Sequence, residues 1–231
     1  MKQFLFVVVV VILNAICAAQ SKVAATSMYA NVAPPLDTDP NAKFWRDAKP
    51  IYAEVNSQGK PLPEYRTVIR SRWTSTDIYF LFACPYQRLS VKSSPKTEQE
   101  TYELWNWNVA EVFLGSDFSE IKRYKEFEIS PQNEWVDLDV NLRNPHHEQG
   151  WTWNSGFEHR ARIDEKTHTW YAAMRIPFAA IGSRPVQRGT EFRANFYRTD
   201  GSGADGKAVM WQAVLNATFH VPERFGLLKL E

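Results

Sequence analysis

The chain has 231 residues, of which 44% are hydrophobic and 23% charged, with 27 basic against 26 acidic side chains. Those figures describe a globular protein rather than a disordered or collagenous one. A formal charge of +1 gives no basic surplus for nucleic acid, so none is expected as a partner. The unusual quantity is the aromatic content, 14% of the chain, with 9 Trp, 9 Tyr and 14 Phe. Large aromatics beyond the needs of a core often line a binding face.

Residues 1–19 read as a cleavable secretory signal peptide: Met1-Lys2, an apolar run from Phe4 to Leu13, then small residues at Ala18-Ala19. The run is shorter than the about 20 apolar residues that span a bilayer. No other stretch is apolar enough, so the mature form is expected to be secreted or periplasmic with no membrane span. Cleavage leaves a single cysteine, Cys84, inside Ile78–Cys84, where it reads as a buried small hydrophobe rather than half of a disulfide.

Residues 20–36 form a small, polar, extended lead-in ending at Pro34-Pro35. A single domain is expected over 37–231. Short runs rich in Val, Ile and aromatics then recur between turn signals, over 65–73, 78–84, 109–114, 124–130, 134–141, 157–163, 169–176, 191–198 and 225–230. Only 40–48 and 177–181 read as short helical turns. Many closely spaced strands without a βαβ rhythm predict an all-β, antiparallel, jelly-roll-like sandwich.

Four segments carry chemistry. In the strand from Asn108, alternation puts Val109, Glu111 and Phe113 on one face, with Trp105 and Trp107 just upstream. A carboxylate between two apolar side chains needs an arginine, a metal or sugar hydroxyls as partner. Tyr124, Glu126 and Glu128 share a face opposite Phe127 and Ile129. With Glu111 they read either as exposed polar residues or as the acid pair of a glycosidase. Asp137, Asp139 and Asn141 alternate on a third strand, which reads either as a solvated polar face or as an oxygen set that suits a hard cation such as calcium. His146-His147 precede the doublet Trp151 and Trp153, and read as surface histidines. Mature methionines are few and none lies in a ligand loop, so haem is not expected.

Taken in order, these pieces resemble the family 9 carbohydrate-binding modules. The resemblance runs from Phe44-Trp45 through Arg72-Trp73, Trp105 with Glu111-Val-Phe113, and Phe127-Glu128. It continues with Trp170…Ile176-Pro177-Phe178, Phe192…Arg198 and Phe219…Phe225-Gly226. It implies a β-sandwich stabilised by calcium and a non-catalytic, monomeric binder of polysaccharide or oligosaccharide, with a sugar held between two tryptophans. Trp105 and Glu111 match the family's first tryptophan and the acid six residues on, and Glu126 and Glu128 the polar pair of the next strand. Asn195 and Asn216 are further polar candidates. Where the family's second tryptophan falls, Phe219 or His220 would substitute. A hydrolase, or a partner-binding or cofactor-binding sandwich without sugar, are the competing functions.

Overall fold

The structure, a computed structural model, describes residues 24–182, 185–201 and 206–231. The expected signal peptide lies outside them. Twelve strands are formed: β1 (Ala24–Tyr29), β2 (Pro50–Ala53), β3 (Thr67–Trp73), β4 (Asp77–Pro85), β5 (Val109–Gly115) and β6 (Arg123–Ile129), followed by β7 (Trp135–Asn141), β8 (Glu158–Asp164), β9 (Thr169–Pro177), β10 (Glu191–Asp200), β11 (Lys207–Met210) and β12 (Gly226–Leu230). Two single-turn helices, α1 (Lys43–Arg46) and α2 (Phe178–Ile181), fall within the segments predicted to turn helically.

One sheet runs β7-β6-β5-β10-β12, with β11 on β10; the other runs β3-β4-β9-β8, with β2 on β3. The strand β1 belongs to both. Its first half, Ala24–Ser27, pairs parallel with Leu227–Leu230, and Met28-Tyr29 pairs parallel with Arg72-Trp73. The all-β sandwich is therefore as expected, with two corrections. The pairing is antiparallel except at β1, and the lead-in supplies a strand, so the sandwich begins before residue 37.

Strand β3 lies within the run expected over 65–73 and alternates, with Thr67, Ile69, Ser71 and Trp73 inward and Val68, Arg70 and Arg72 more exposed. The main core joins Ala110, Val112, Leu114, Phe127, Ile129 and Phe196 of one sheet to Ile69, Phe80, Phe82, Met174 and Ile176 of the other. Phe80 and Phe82 meet Phe196 at ring separations of 5.4 and 6.4 Å. Cys84 is fully buried, and desolvation pushes its thiol up to about 12, which leaves it inert. Trp45, Trp73 and Trp170 fill interior positions.

The functional geometry follows from a second buried layer. The outer face of the first sheet is roofed by loops, and Val109, Phe113, Tyr124, Val136, Leu138 and Tyr197 pack beneath Leu104, Val214 and Phe225. Strand β5 is consequently buried on both faces along all seven residues. This is why it reads as a continuous apolar run interrupted by one carboxylate.

Candidate functional site

A cleft of about 350 Å³ opens where this roof is incomplete, lined by Trp105, Glu111, Phe113, Glu126, Leu138, His147, Glu148, Thr199, Thr218, Phe219 and His220. Strand register explains its floor. Glu111 stands opposite Glu128 on β6 and opposite Tyr197 on β10, while Phe113 stands opposite Glu126 and Asn195. Since side chains alternate along each strand, these residues share the outer face. Trp105 enters from a 3₁₀ turn (Leu104–Asn106) whose apolar residue, Leu104, is buried in the outer layer. Its indole meets the Tyr102 ring edge-on at 5.4 Å.

The far wall is Phe219 and His220. Phe219 stacks on Tyr197 at 4.8 Å with 11° between the planes, and the Tyr197 hydroxyl donates to the Phe219 carbonyl at 3.0 Å. His220 stacks on Phe113 at 5.5 Å, and its Nδ1 lies 2.5 Å from the Tyr124 hydroxyl. Burial keeps the Tyr124 hydroxyl protonated. Burial, helped by the neighbouring His147, lowers His220 to about 4, so the ring is neutral at physiological pH.

The acids at the floor are nearly closed to solvent: Glu111 is 1% exposed, Glu126 4% and Glu128 0%. One oxygen from each lies within 4.8 Å of the others. The Thr199 hydroxyl donates to Glu111 at 3.1 Å, whereas among the described residues no N–H or hydroxyl donor reaches Glu126 Oε2 or either Glu128 oxygen, and the Glu126 and Glu128 carboxyls face each other. Burial raises all three carboxyls, Glu126 to about 7 and the other two well above the usual carboxylate range.

The family model described as carbohydrate family 9 binding domain-like matches residues 36–231. The chain belongs to that family. A curated relative, an extracellular protein of Arthroderma benhamiae, is 25% identical over 191 residues, covering 72% of this chain and 78% of its own. Among solved structures, a family 9 module from Caldicellulosiruptor kristjanssonii in complex with cellotriose has a TM-score of 0.65 at 13% identity, covering 90% of this chain and 93% of that one. A putative carbohydrate-binding protein from Bacteroides uniformis has a TM-score of 0.71 at 15% identity, covering 91% and 100%. At these identities the structural likeness shows a shared fold.

Within the family 9 framework, Trp105, Glu111, Glu126, Phe219 and His220 come together in one cleft, and Glu128 lies directly behind it. Two other candidates serve the scaffold. The Asn195 side chain is fully buried and donates to the Tyr197 hydroxyl and the Gln212 carbonyl at 2.8 and 2.9 Å. Its oxygen accepts from the Phe196 and Gln212 amides, so nothing remains for a ligand. Asn216 is exposed, and its oxygen accepts from the Ala217 and Thr218 amides, forming the turn that presents Thr218 and Phe219.

Asp137 and Asp139, the pair expected to hold calcium, do not meet in a ligand cluster among the described residues. Asp137 accepts from the Ser155 hydroxyl at 2.6 Å and keeps its other oxygen without a partner among those residues, and Asp139 pairs with Lys125 at 2.7 Å. Of the four tryptophans set beside loops, only Trp105 lines the cleft. Trp153 packs on Phe127 with Lys125 over its face, and Trp151 lies 5.2 Å from Tyr102. The histidine doublet, read as surface, instead contributes His147, whose ring stands 4.4 Å from His220. Thr199 is also new, because β10 continues two residues beyond Arg198.

Proposed function

We propose that the chain is a secreted carbohydrate-binding protein that holds one sugar residue in this cleft. A single observation carries the reading: Trp105 and the Phe219–His220 wall line one opening whose floor presents the Glu111 and Glu126 carboxyls. Pyranose rings offer apolar C–H faces that an indole covers, while their hydroxyls require donors and acceptors in fixed directions. Glu111, Glu126 and Thr199 supply both, and the His220 ring adds a nitrogen. Phe219 takes the place of a second tryptophan with a smaller ring.

Each hydrogen bond to a neutral carboxyl or hydroxyl contributes roughly 0.5–1.5 kcal/mol, and one to an ionised carboxylate roughly 1.5–3 kcal/mol; covering the sugar face with an aromatic platform adds roughly 1.5–3 kcal/mol. Association entropy offsets much of this. The expected affinity is on the order of micromolar to millimolar, about −8 to −4 kcal/mol. Family membership and the cellotriose and glucose complexes of structural neighbours support a glucose-type ligand. Secretion is supported by the Met1–Ala19 segment and by a curated relative that carries the name extracellular protein.

The test is a tryptophan-fluorescence titration of the secreted protein with glucose, cello-oligosaccharides and xylo-oligosaccharides. Saturable quenching that Trp105→Ala removes is the expected result. A flat response across all three series in the folded wild type overturns the proposal.

A further inference from the structure

We propose that Glu111, Glu126 and Glu128 form a binding site for one hard divalent cation at the floor of the cleft. The three project from adjacent strands, Glu111 directly across from Glu128 and Glu126 one alternation along β6, so their carboxyls converge on the outer face. One oxygen of each falls within 4.8 Å of the others, a spacing that a single ion can bridge.

A second observation points to an occupant. Glu128 is wholly buried, and among the described residues no donor group of another side chain or of the backbone reaches either of its oxygens; its one side-chain neighbour is the carboxyl of Glu126, whose Oε2 also lacks a donor. Buried polar atoms in native proteins are satisfied, and buried carboxylates are paired or coordinate metals. Among the described residues no lysine or arginine lines the cleft to do this. The neighbouring Lys125 is engaged with Asp139 on the opposite face of β6, and Arg198 with Asp200 on the core side of β10. A proton shared between two carboxyls would satisfy only part of the set. A cation satisfies together all the oxygens that lack a donor.

The donor set selects the class of ion. It consists of carboxylate oxygens, up to six from three residues, with the Thr199 hydroxyl beside Glu111. His220 Nδ1 is already engaged by Tyr124, and the one thiol among the described residues, Cys84, lies in the main core. Oxygen-only sites suit calcium, magnesium or manganese rather than zinc or copper. Glu111 and Glu126 border the cleft, so the ion has an entry path, and its remaining positions face the opening. The site stands without a sugar; on the reading that the cleft takes one, those positions face its hydroxyls.

The experiment strips the mature protein with chelator and titrates it calorimetrically with calcium, magnesium and manganese, recording thermal unfolding in parallel. One equivalent of at least one ion, a rise in melting temperature, and at least tenfold weaker binding in both Glu128→Gln and Glu111→Gln are expected. Failure of the folded wild type to bind any of the three ions, or equal binding by both variants, overturns the site. Sugar titrations on the same samples separate the two proposals. Quenching without ion binding sinks only the cation site, and ion binding without quenching sinks only the sugar reading.

Discussion

The Tyr124 hydroxyl and His220 Nδ1 meet at 2.5 Å, and this contact decides what the histidine can offer the cleft. The bond holds the neutral ring in one tautomer, and so sets whether Nε2 offers the cleft a donor or an acceptor. Tyr124→Phe removes the hydroxyl without removing the ring that stacks on Phe113 at 5.5 Å. The expected loss of sugar affinity is about 1 kcal/mol, roughly five- to tenfold. Nitrogen NMR of the His220 ring checks the cause: the wild type shows one neutral tautomer and the variant a mixture. An unchanged tautomer with lost affinity would count against this account.

The tryptophans give a sharper contrast. Trp105 lines the cleft, whereas Trp107 does not and Trp151 reaches it only through Tyr102. Trp105→Ala should weaken glucose or cello-oligosaccharide binding by roughly 1.5–3 kcal/mol, the value of one covered aromatic face. Trp107→Ala should stay within about twofold of wild type. Comparable losses in both variants, measured by calorimetry on folded protein, would place the platform elsewhere.

Trp105 and Glu111 were legible because a strand's alternation and a fixed offset from its start are local properties. The common face of Glu126 and Glu128 followed from the same period. The depth of the acids was not legible, because it comes from the roof: residues 104–106, 147–152 and 214–225 fold over the sheet from distant parts of the chain. His147 looked like a surface histidine for that reason. Strand β1 was read as lead-in because its small, polar residues carry no pattern, and both of its partners are remote in sequence. The scaffold bonds of Asn195 are hidden for a different reason: a buried asparagine in a strand looks the same in sequence whether a ligand or Gln212 satisfies it.

That last point has a direct test. Asn195→Ala strands the Phe196 and Gln212 amides, the Gln212 carbonyl and one bond of Tyr197. Each buried group left unsatisfied costs about 1–3 kcal/mol, with partial relaxation. A total near 3 kcal/mol lowers the melting temperature by about 6–12 °C in a domain of this size. Scanning calorimetry reads the shift. A variant of wild-type stability with abolished sugar binding would restore Asn195 to the ligand set.

Gly150 holds the roof close to β7. A Cβ there would sit 2.4 Å from the Asp139 carbonyl oxygen and 2.9 Å from its carbon, and this is strand backbone that cannot yield. Gly150→Ala must therefore lift the His147–Thr152 turn, which carries the cleft residues His147 and Glu148. A stability loss of about 1–3 kcal/mol is expected, with weaker sugar binding although no contacting side chain has changed. Denaturant unfolding and fluorescence titration together check it; wild-type values in both would show that the turn packs less tightly than this.

The buried acids contribute a pH dependence of stability opposite in sign to that of a salt-bridged carboxylate. Glu126 is raised by burial from 4.5 to about 7. Below pH 4.5 it is protonated in both folded and unfolded chains and costs nothing electrostatically. Between pH 4.5 and 7 the unfolded chain ionises first, so stability falls as pH rises, and the loss is complete once the folded carboxyl ionises. In chelator-treated protein, Glu126→Gln should match wild type near pH 4. Above pH 7 it should exceed wild type by on the order of 3 kcal/mol, the worth of a shift of this size. Glu111 and Glu128, raised in the same direction, remain ionisable in the variant and keep part of the slope. Addition of the cation should reverse the ranking, because the ion stabilises the ionised wild-type trio and the glutamine offers it a neutral oxygen. Equilibrium unfolding at pH 4, 6 and 8, with and without ion, decides it: a variant less stable than wild type at pH 8 without ion would show that the carboxylate is compensated by a group other than a metal.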